Sequence, residues 1–341
     1  MANLPEYKIG RVVFGDEATI KAAYEKFRSQ PIDETRLATD RSSPFSPKRR
    51  TIADEASVAG VGTFKGSEKQ TLTFSPSERK GWWIRRMDLP DQLDTKVDIA
   101  NLWTSAQNLV MRSGSPHNYL RMVEHIIALK AGLGLDDVVL KVMSGDPPLF
   151  DQSSLPLIKA IEHGKIVETE RDATWVTVKE PLAFGGTRGD FLLVLPAENG
   201  EKRLRIDCAI SWNTIIGDQR VLFDVTPETF RYAALARTNA TYKQYILAKT
   251  VGKLFAATRN WGYNERNILI HGKKFYTKPR FPMGEKFLEP VWHRATLDLM
   301  AAFALTGIHR FAGTIVSFRA GHTLDCDAVR ALYRNDLICS L

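Results

Sequence analysis

Residues 120–143 read LRMVEHIIALKAGLGLDDVVLKVM, and the fold follows from how this stretch changes character along its length. From about Leu120 to Leu133 it is an aliphatic helix that Gly132 and Gly134 bring to an end. From Asp137 to Met143 it becomes a Val/Leu strand. Working outward, the segments before it are strands: Ala56 to Val61, Gln70 to Phe74 with period-two alternation, and Trp82 to Arg86, punctuated by Gly60-Val61-Gly62 and Lys65-Gly66. After it, a turn at Gly145-Asp146-Pro147-Pro148 precedes a helix from Leu155 to Glu162, closed by Gly164.

The second half repeats this grammar. Strands at Trp175–Val178, Phe191–Leu195 and Arg203–Ile210 lead to a helix opened by Thr226-Pro227-Glu228, where Pro sits at the first helical position. Strand signals follow at Ile268–Ile270 and Phe275–Tyr276, then a helix from Pro290 to about Thr306, a strand Gly313–Phe318 and a last helix from Asp325 to Leu332. Strands and then helices, twice over, predict an α+β fold of two units, each a β-sheet layer packed with helices. Ahead of them lies a strand from Ile9 to Phe14 and a helix beginning near Asp16, followed by SQPIDETRLATDRSSPFSPKRR (residues 29–50), which is polar, Pro/Ser-rich and reads as a linker or loosely held extension. The expected organisation is an N-terminal extension over 1–49, a first domain over 50–170 and a second over 171–341.

The 341 residues suit two domains, and 44% hydrophobic with 25% charged residues is a soluble composition. No apolar run is long enough to span a bilayer, and MANLPEYKIG has no basic start and apolar stretch, so a cytoplasmic location is expected with at most peripheral membrane contact. Three cysteines without a CxxC support neither a disulfide framework nor a thiolate zinc site. The net charge of +8 invites a polyanion, yet the basic residues are scattered. The one tight knot, Lys48-Arg49-Arg50, reads as solvated surface, which argues against nucleic acid and leaves an anionic small molecule such as a nucleotide sugar.

Two helices carry polar residues that apolar periodicity does not explain. In Met122-Val123-Glu124-His125-Ile126-Ile127 a carboxylate and an imidazole adjoin inside an aliphatic run. The bland reading is a satisfied core histidine; the chemical one is a His ligand beside a Glu that takes a proton from metal-activated water. HExxH is absent. In Trp292-His293-Arg294-Ala295-Thr296-Leu297-Asp298, Arg294 and Asp298 are four apart and share a face, whereas His293 and Asp298 lie about 140° apart around a regular helix. A regular helix therefore favours an Arg294–Asp298 ion pair, and only a π-bulge brings His293 and Asp298 to one face. Ala320-Gly321-His322 places a histidine at a strand end, where it is either a general acid or a solvated loop residue.

From Arg50 to Tyr333 the sequence resembles the UDP-3-O-acyl-N-acetylglucosamine deacetylases, the zinc enzymes of lipid A synthesis. The resemblance is carried by Gly60-Val61-Gly62-Thr63-Phe64-Lys65-Gly66, Ile84-Arg85-Arg86-Met87-Asp88-Leu89, Val123-Glu124-His125, Ala131-Gly132-Leu133-Gly134-Leu135-Asp136-Asp137, Pro147-Pro148-Leu149-Phe150-Asp151-Gln152-Ser153-Ser154, Ala236-Arg237-Thr238, Glu289-Pro290-Val291 and Ala320-Gly321-His322. It implies two similar α+β domains with an active-site cleft between them, a Zn²⁺ cofactor and an acylated UDP-sugar as ligand. It implies Glu124 as general base, His125 as first zinc ligand, Thr238 at the oxyanion and His322 as general acid, with His293 and Asp298 completing the metal set.

The sequence departs from the family pattern on the second helix. The family sets its histidine and aspartate four apart; counted back from Asp298 the histidine position is Arg294, and counted forward from Glu289 it is His293. The aspartate that orients the catalytic histidine falls at Ala301 or Ala302, Phe64 replaces a loop histidine, and Asn239 replaces an aromatic residue. The expected function is metal-dependent amide hydrolysis. The alternatives are a non-catalytic paralogue that binds a UDP-sugar or acylated ligand, or different, metal-free chemistry. Oligomeric state is not legible.

Overall fold

The computed structural model describes residues 4–250 and 262–341, apart from Arg41, Ser67 and Gln92. Its helices are α1 (Glu17–Ser29), α2 (Glu124–Leu133), α3 (Leu155–His163), α4 (Pro227–Ala233), α5 (Tyr242–Lys249), α6 (Glu289–His293), α7 (Met300–Ala304) and α8 (His322–Arg334), with a π-helical turn, Arg294–Leu299, joining α6 to α7. Two sheets carry the architecture. One has six strands in the order Pro148–Leu149, Ala56–Gly62, Lys69–Pro76, Val138–Val142, Trp82–Arg86, Thr95–Lys96. The other has seven, in the order Arg11–Phe14, Leu182–Gly185, Phe191–Leu195, Gly313–Phe318, Leu204–Trp212, Gly217–Asp224, Glu34–Arg36.

The expected repetition is visible in the pairing. In each sheet two strands form an antiparallel hairpin, the last strand pairs antiparallel to the second, and the third lies parallel on its far side. In each unit a helix feeds that last strand: α2 precedes Val138–Val142, and the α6–π–α7 helix precedes Gly313–Phe318. These two helices pack against each other, so equivalent elements of the two units meet at one interface. Side chains from both sheets and from α2, α3, α6 and α7 share one continuous core that includes Trp82, Phe74, Ile127, Trp292, Phe184 and Ile206.

The N-terminal extension is not a linker. Along Phe191–Leu195 the side chains Leu192 and Val194 enter the main core, while Phe191 and Leu193 point to the opposite face. That outer face, with Ala183, Ala209, Val316 and Phe318, is covered by Ile20, Ala23, Tyr24 and Phe27 of α1, spaced as one helical stripe. Asp16 caps α1 by accepting from the Thr19 N–H at 2.7 Å. Arg11–Phe14 and Glu34–Arg36 then pair with the two opposite edges of the same sheet, removing the exposed ladders that invite aggregation. Tyr7 donates to Asp207 at 2.8 Å, and Asp207 pairs with the fully buried Arg220, whose guanidinium also donates to the carbonyls of Phe27 and Gln30. Residues 7–36 of the extension thus dock on the sheet of the second unit. The signal was the uninterrupted apolar run FLLVL, since a strand buried on both faces needs cover on both.

The stretch before the first sheet is equally tied down. Phe45 is part of the core, and the Lys48-Arg49-Arg50 knot is solvated surface only in part. Arg49 is 1% exposed and pairs with the buried Asp137 at 2.9 Å. Lys48 reaches Asp172, and Arg50 donates to the carbonyls of Leu133 and Gly134 that end α2. Of the three, Arg49 is buried, Arg50 is half-buried against the end of α2, and Lys48 stays in a surface ion pair. Among the described residues no helix is long and apolar enough to cross a membrane.

Lys130 joins the two central helices. Its ammonium, 7% exposed, donates to the carbonyls of Ala304 at 2.9 Å and His309 at 3.4 Å, and burial pushes its pKa down to about 8. The folded state therefore holds this proton less tightly than the unfolded chain, a cost that is complete below pH 8 and fades as pH rises towards the ordinary lysine value. Relative to Lys130→Met, the wild-type protein should gain about 3 kcal/mol of stability between pH 8 and 10.5, read as a difference between urea-denaturation curves.

Candidate active site

The site forms where α2 meets the π turn. Helix α2 starts at Glu124, four residues later than periodicity suggested, because Met122 adopts φ 51° and interrupts the helical path. Glu124 is thereby the first helical residue, with its carboxylate accepting from the Leu109 N–H at 3.0 Å. It is 2% exposed, and burial together with the Asp298 charge pushes its pKa up to about 8. A carboxyl poised near neutrality is suited to taking up and returning a proton.

His125 follows on the next face. Its Nδ1 stands 3.5 Å from Ser153 Oγ, whose own proton goes to the Ala236 carbonyl at 2.7 Å. The hydroxyl can therefore only accept from the ring, which leaves the Nε2 lone pair of His125 aimed into the site. Burial, then the neighbouring His293, lowers the His125 pKa to about 3, so the ring is neutral at physiological pH.

The helix from Glu289 to Ala304 is not regular. The i→i+5 winding of Arg294–Leu299 brings His293 and Asp298 together, with Nδ1 3.5 Å from Oδ2. The same winding takes Arg294 off the face of Asp298, so the ion pair expected of a regular helix does not form. Instead Arg294 turns into the second unit, donating to Asp325 Oδ1 at 2.6 Å, to the Ala320 carbonyl at 2.8 Å and to Ser317 Oγ at 3.4 Å. Asp298 also lies 3.5 Å from His322 Nε2. Although burial opposes its ionisation, His293, His322 and Arg294 hold the Asp298 carboxyl well below the usual range.

Across the seam His125 and His293 present Nε2 to Nε2 at 3.2 Å. With the His125 Nε2 lone pair facing it, a proton on His293 Nε2 bridges the two rings, and without that proton the two lone pairs converge on one point as donors to a cation. Two nitrogens bound tetrahedrally at 2.0–2.1 Å lie about 3.3 Å apart, so the spacing fits a divalent ion. Buried atoms without a hydrogen-bond partner cluster at the same place: His293 Nδ1, Asp298 Oδ1 and His322 Nδ1. The carboxylate is less settled. Among the described residues no three His, Cys, Asp or Glu side chains close on one point, because the Asp298 oxygens lie nearest the ring nitrogens of His293 and His322. The structure therefore assembles His125, His293 and Asp298 with donor chemistry that fits a cation, but does not set all three as ligands.

Glu124, Thr238 and His322 line one cleft of about 480 Å³, walled by Phe64, Met122 and Tyr263. A second cleft, of about 430 Å³, shares His322 and carries Arg188 and Arg319. Phe64, at the loop position, lies under the Arg121 guanidinium at 3.7 Å. Ala301 and Ala302 are fully buried in the core and offer His322 no carboxylate. Sequence reasoning missed Ser153, which orients His125, and Asp325, which receives Arg294. Ser153 stood within a quoted motif, but nothing local signalled its contact 28 residues away.

Comparison with known proteins agrees with this geometry. Residues 49–334 match a family model described as LpxC, UDP-3-O-acyl N-acetylglycosamine deacetylase. Proteins named UDP-3-O-acyl-N-acetylglucosamine deacetylase from Brucella ovis and Brucella melitensis biotype 2 are each 24% identical over 290 residues, covering 84% of this chain and 96% of the relative.

Proposed function

The chain belongs to the UDP-3-O-acyl-N-acetylglucosamine deacetylase family, and from that premise we propose that it hydrolyses the acetamide of an acylated UDP-N-acetylglucosamine, releasing acetate and a free amine. The observation that carries this reading is the π turn, which restores His293 and Asp298 to one face opposite Glu124 and His125 despite the extra residue between them. His125, His293 and Asp298 would hold Zn²⁺, which when bound polarises the amide carbonyl and acidifies the attacking water.

The chain's own groups do the rest. Glu124, which lines the cleft beside His125, accepts the proton of the attacking water. Thr238 lines the same cleft with its hydroxyl available to donate to the developing oxyanion. His322 gives a proton to the departing amine. Phe64, Met122 and Tyr263 keep bulk water from the reacting centre. Arg188 and Arg319 beside His322 provide positive charge for a diphosphate. A cytoplasmic, metal-bound enzyme of lipid A synthesis is the setting this chemistry fits.

A ligand-binding paralogue without turnover is the second reading, favoured by Ala301 and Ala302 and by the incomplete closure of the three donors. Metal content and acetate release from a UDP-3-O-acyl-N-acetylglucosamine separate the two. The expected result is about one zinc per chain, lost on His125→Ala and on His293→Ala, with acetate formed by the wild type alone. A metal-free protein that binds the nucleotide sugar equally in all three forms and releases no acetate would establish the second reading.

A further inference from the structure

His322 has to be held against the ligand helix, yet its own ring supplies almost no hold. Nδ1 is buried without a partner, and Nε2 has only Asp298 at 3.5 Å. It sits as the first residue of α8, after Gly321, which offers the helix no side-chain cap and only its carbonyl, accepting from the Asp325 N–H at 3.1 Å. The placement of the ring must come from the backbone on either side, and there a single guanidinium grips both flanks. Arg294 Nε donates to the carbonyl of Ala320, two residues before His322, and Arg294 Nη2 donates to Asp325, three residues after it. Asp325 is 0% exposed and Arg294 5%, so this is an interior contact free of solvent competition. Arg294 itself is the first residue of the π turn, between His293 and Asp298.

We infer that the Arg294–Asp325 pair is the positioning device for His322, coupling the start of α8 to the π turn so that His322 and the two donors His293 and Asp298 keep a common frame. Three features support it. The guanidinium is a rigid fork, and its contacts fall on three separate elements: strand Gly313–Phe318 through Ser317, the Ala320 turn and α8. Ala301 and Ala302, buried in the helix that continues the π turn, carry no polar group, so that helix reaches the ring only through Asp298 at 3.5 Å among the described residues. The pair also accounts for the extra residue between His293 and Asp298. Its side chain leaves the cleft and enters the second unit, instead of placing a cation beside the two imidazoles.

The inference rests on the deacetylase reading, and the test is arranged so that the two can fail separately. Asp325→Asn, Arg294→Lys and the apolar double variant Arg294→Met with Asp325→Leu are compared with wild type for kcat and KM of acetate release, zinc content, thermal midpoint and the His322 ring signals in histidine-labelled protein, assigned with His322→Gln. Displacements near 1 Å at a reacting group cost about 10²-fold in rate. The expected result is a fall in kcat of about that size in both single variants, with KM within a few-fold and zinc unchanged, and displaced His322 ring signals. In the double variant the thermal midpoint recovers but kcat does not. Folded single variants with wild-type kcat and unmoved ring signals would overturn the inference, as would a double variant that recovers full kcat. If wild type releases no acetate, the deacetylase reading fails while the ring signals still decide the positioning. Should Arg294→Lys not fold, Asp325→Asn and the double variant carry the decision.

Discussion

Replacing Glu124 by Gln should reduce acetate release by about 10³-fold while leaving zinc content, fold and substrate affinity close to wild type. A positioned general base contributes about 10²–10⁴ in rate, and here that residue lines the same cleft as His322, the group that must return the proton. Gln keeps the size of the side chain and can still accept from the backbone N–H groups of Leu109 and of residue 124 itself that fix the carboxylate. It cannot accept the water proton. The neighbouring His125 is oriented through Ser153 and Ala236, not through Glu124, so the metal donors are untouched. Folding should not suffer either, since a neutral amide is easier to bury than a carboxylate in a site this enclosed. Turnover retained above one tenth of wild type, with the metal in place, would remove Glu124 from the proton-transfer role.

The largest stability loss is expected at a residue outside the reacting set. Arg237 precedes Thr238 and is 2% exposed; its Nε and backbone N–H both donate to Glu289 Oε1, at 2.7 and 3.0 Å, and its Nη2 reaches Oε2 at 3.0 Å. The same guanidinium donates to the carbonyls of Glu265 and Lys278. Glu289, 0% exposed, begins α6 and also accepts from the Arg280 N–H at 2.8 Å. One ion pair thus holds together the Thr238 segment, the loop around Lys278 and the start of the ligand helix. Arg237→Met leaves the carboxylate buried with only two backbone N–H donors, and breaking a buried pair from one side costs about 3–5 kcal/mol. Chemical denaturation should show that loss, and Arg237→Met with Glu289→Gln should show a smaller one, because the uncompensated charge is gone.

How much of this could be read in advance depended on the range of the interaction responsible. Strands Trp82–Arg86, Trp175–Val178, Phe191–Leu195 and Gly313–Phe318 occur where local pattern placed them. Their β-branched and aromatic residues and flanking turns act within a few positions. Glu124, His125 and His322 were likewise legible, as polar residues in short motifs that apolar packing does not require, whereas Thr238 was named only through the family resemblance. The strand Gly217–Asp224 was passed over, although it is paired along its whole length with Leu204–Trp212, because its QR pair masked the alternation. Gln219 and Arg220 are in fact buried, at 1% and 0% exposure, with the Gln219 amide donating to the Phe287 carbonyl and Arg220 paired with Asp207.

The sequence by itself determined the two-unit α+β plan, the candidate residues Glu124, His125 and His322 and the presence of one residue too many between His293 and Asp298, because each is written in neighbours along the chain. Tertiary structure alone decided where that residue went. Helical winding is set by which carbonyl each N–H can reach, and the π turn costs local hydrogen-bond geometry that only an outside partner can offset. Asp325, 31 positions away, supplies that partner by drawing Arg294 out of the cleft. The N-terminal extension followed the same rule: polar and irregular when read alone, it is ordered by the outer face and the two edges of a sheet whose strands lie more than 150 residues further on.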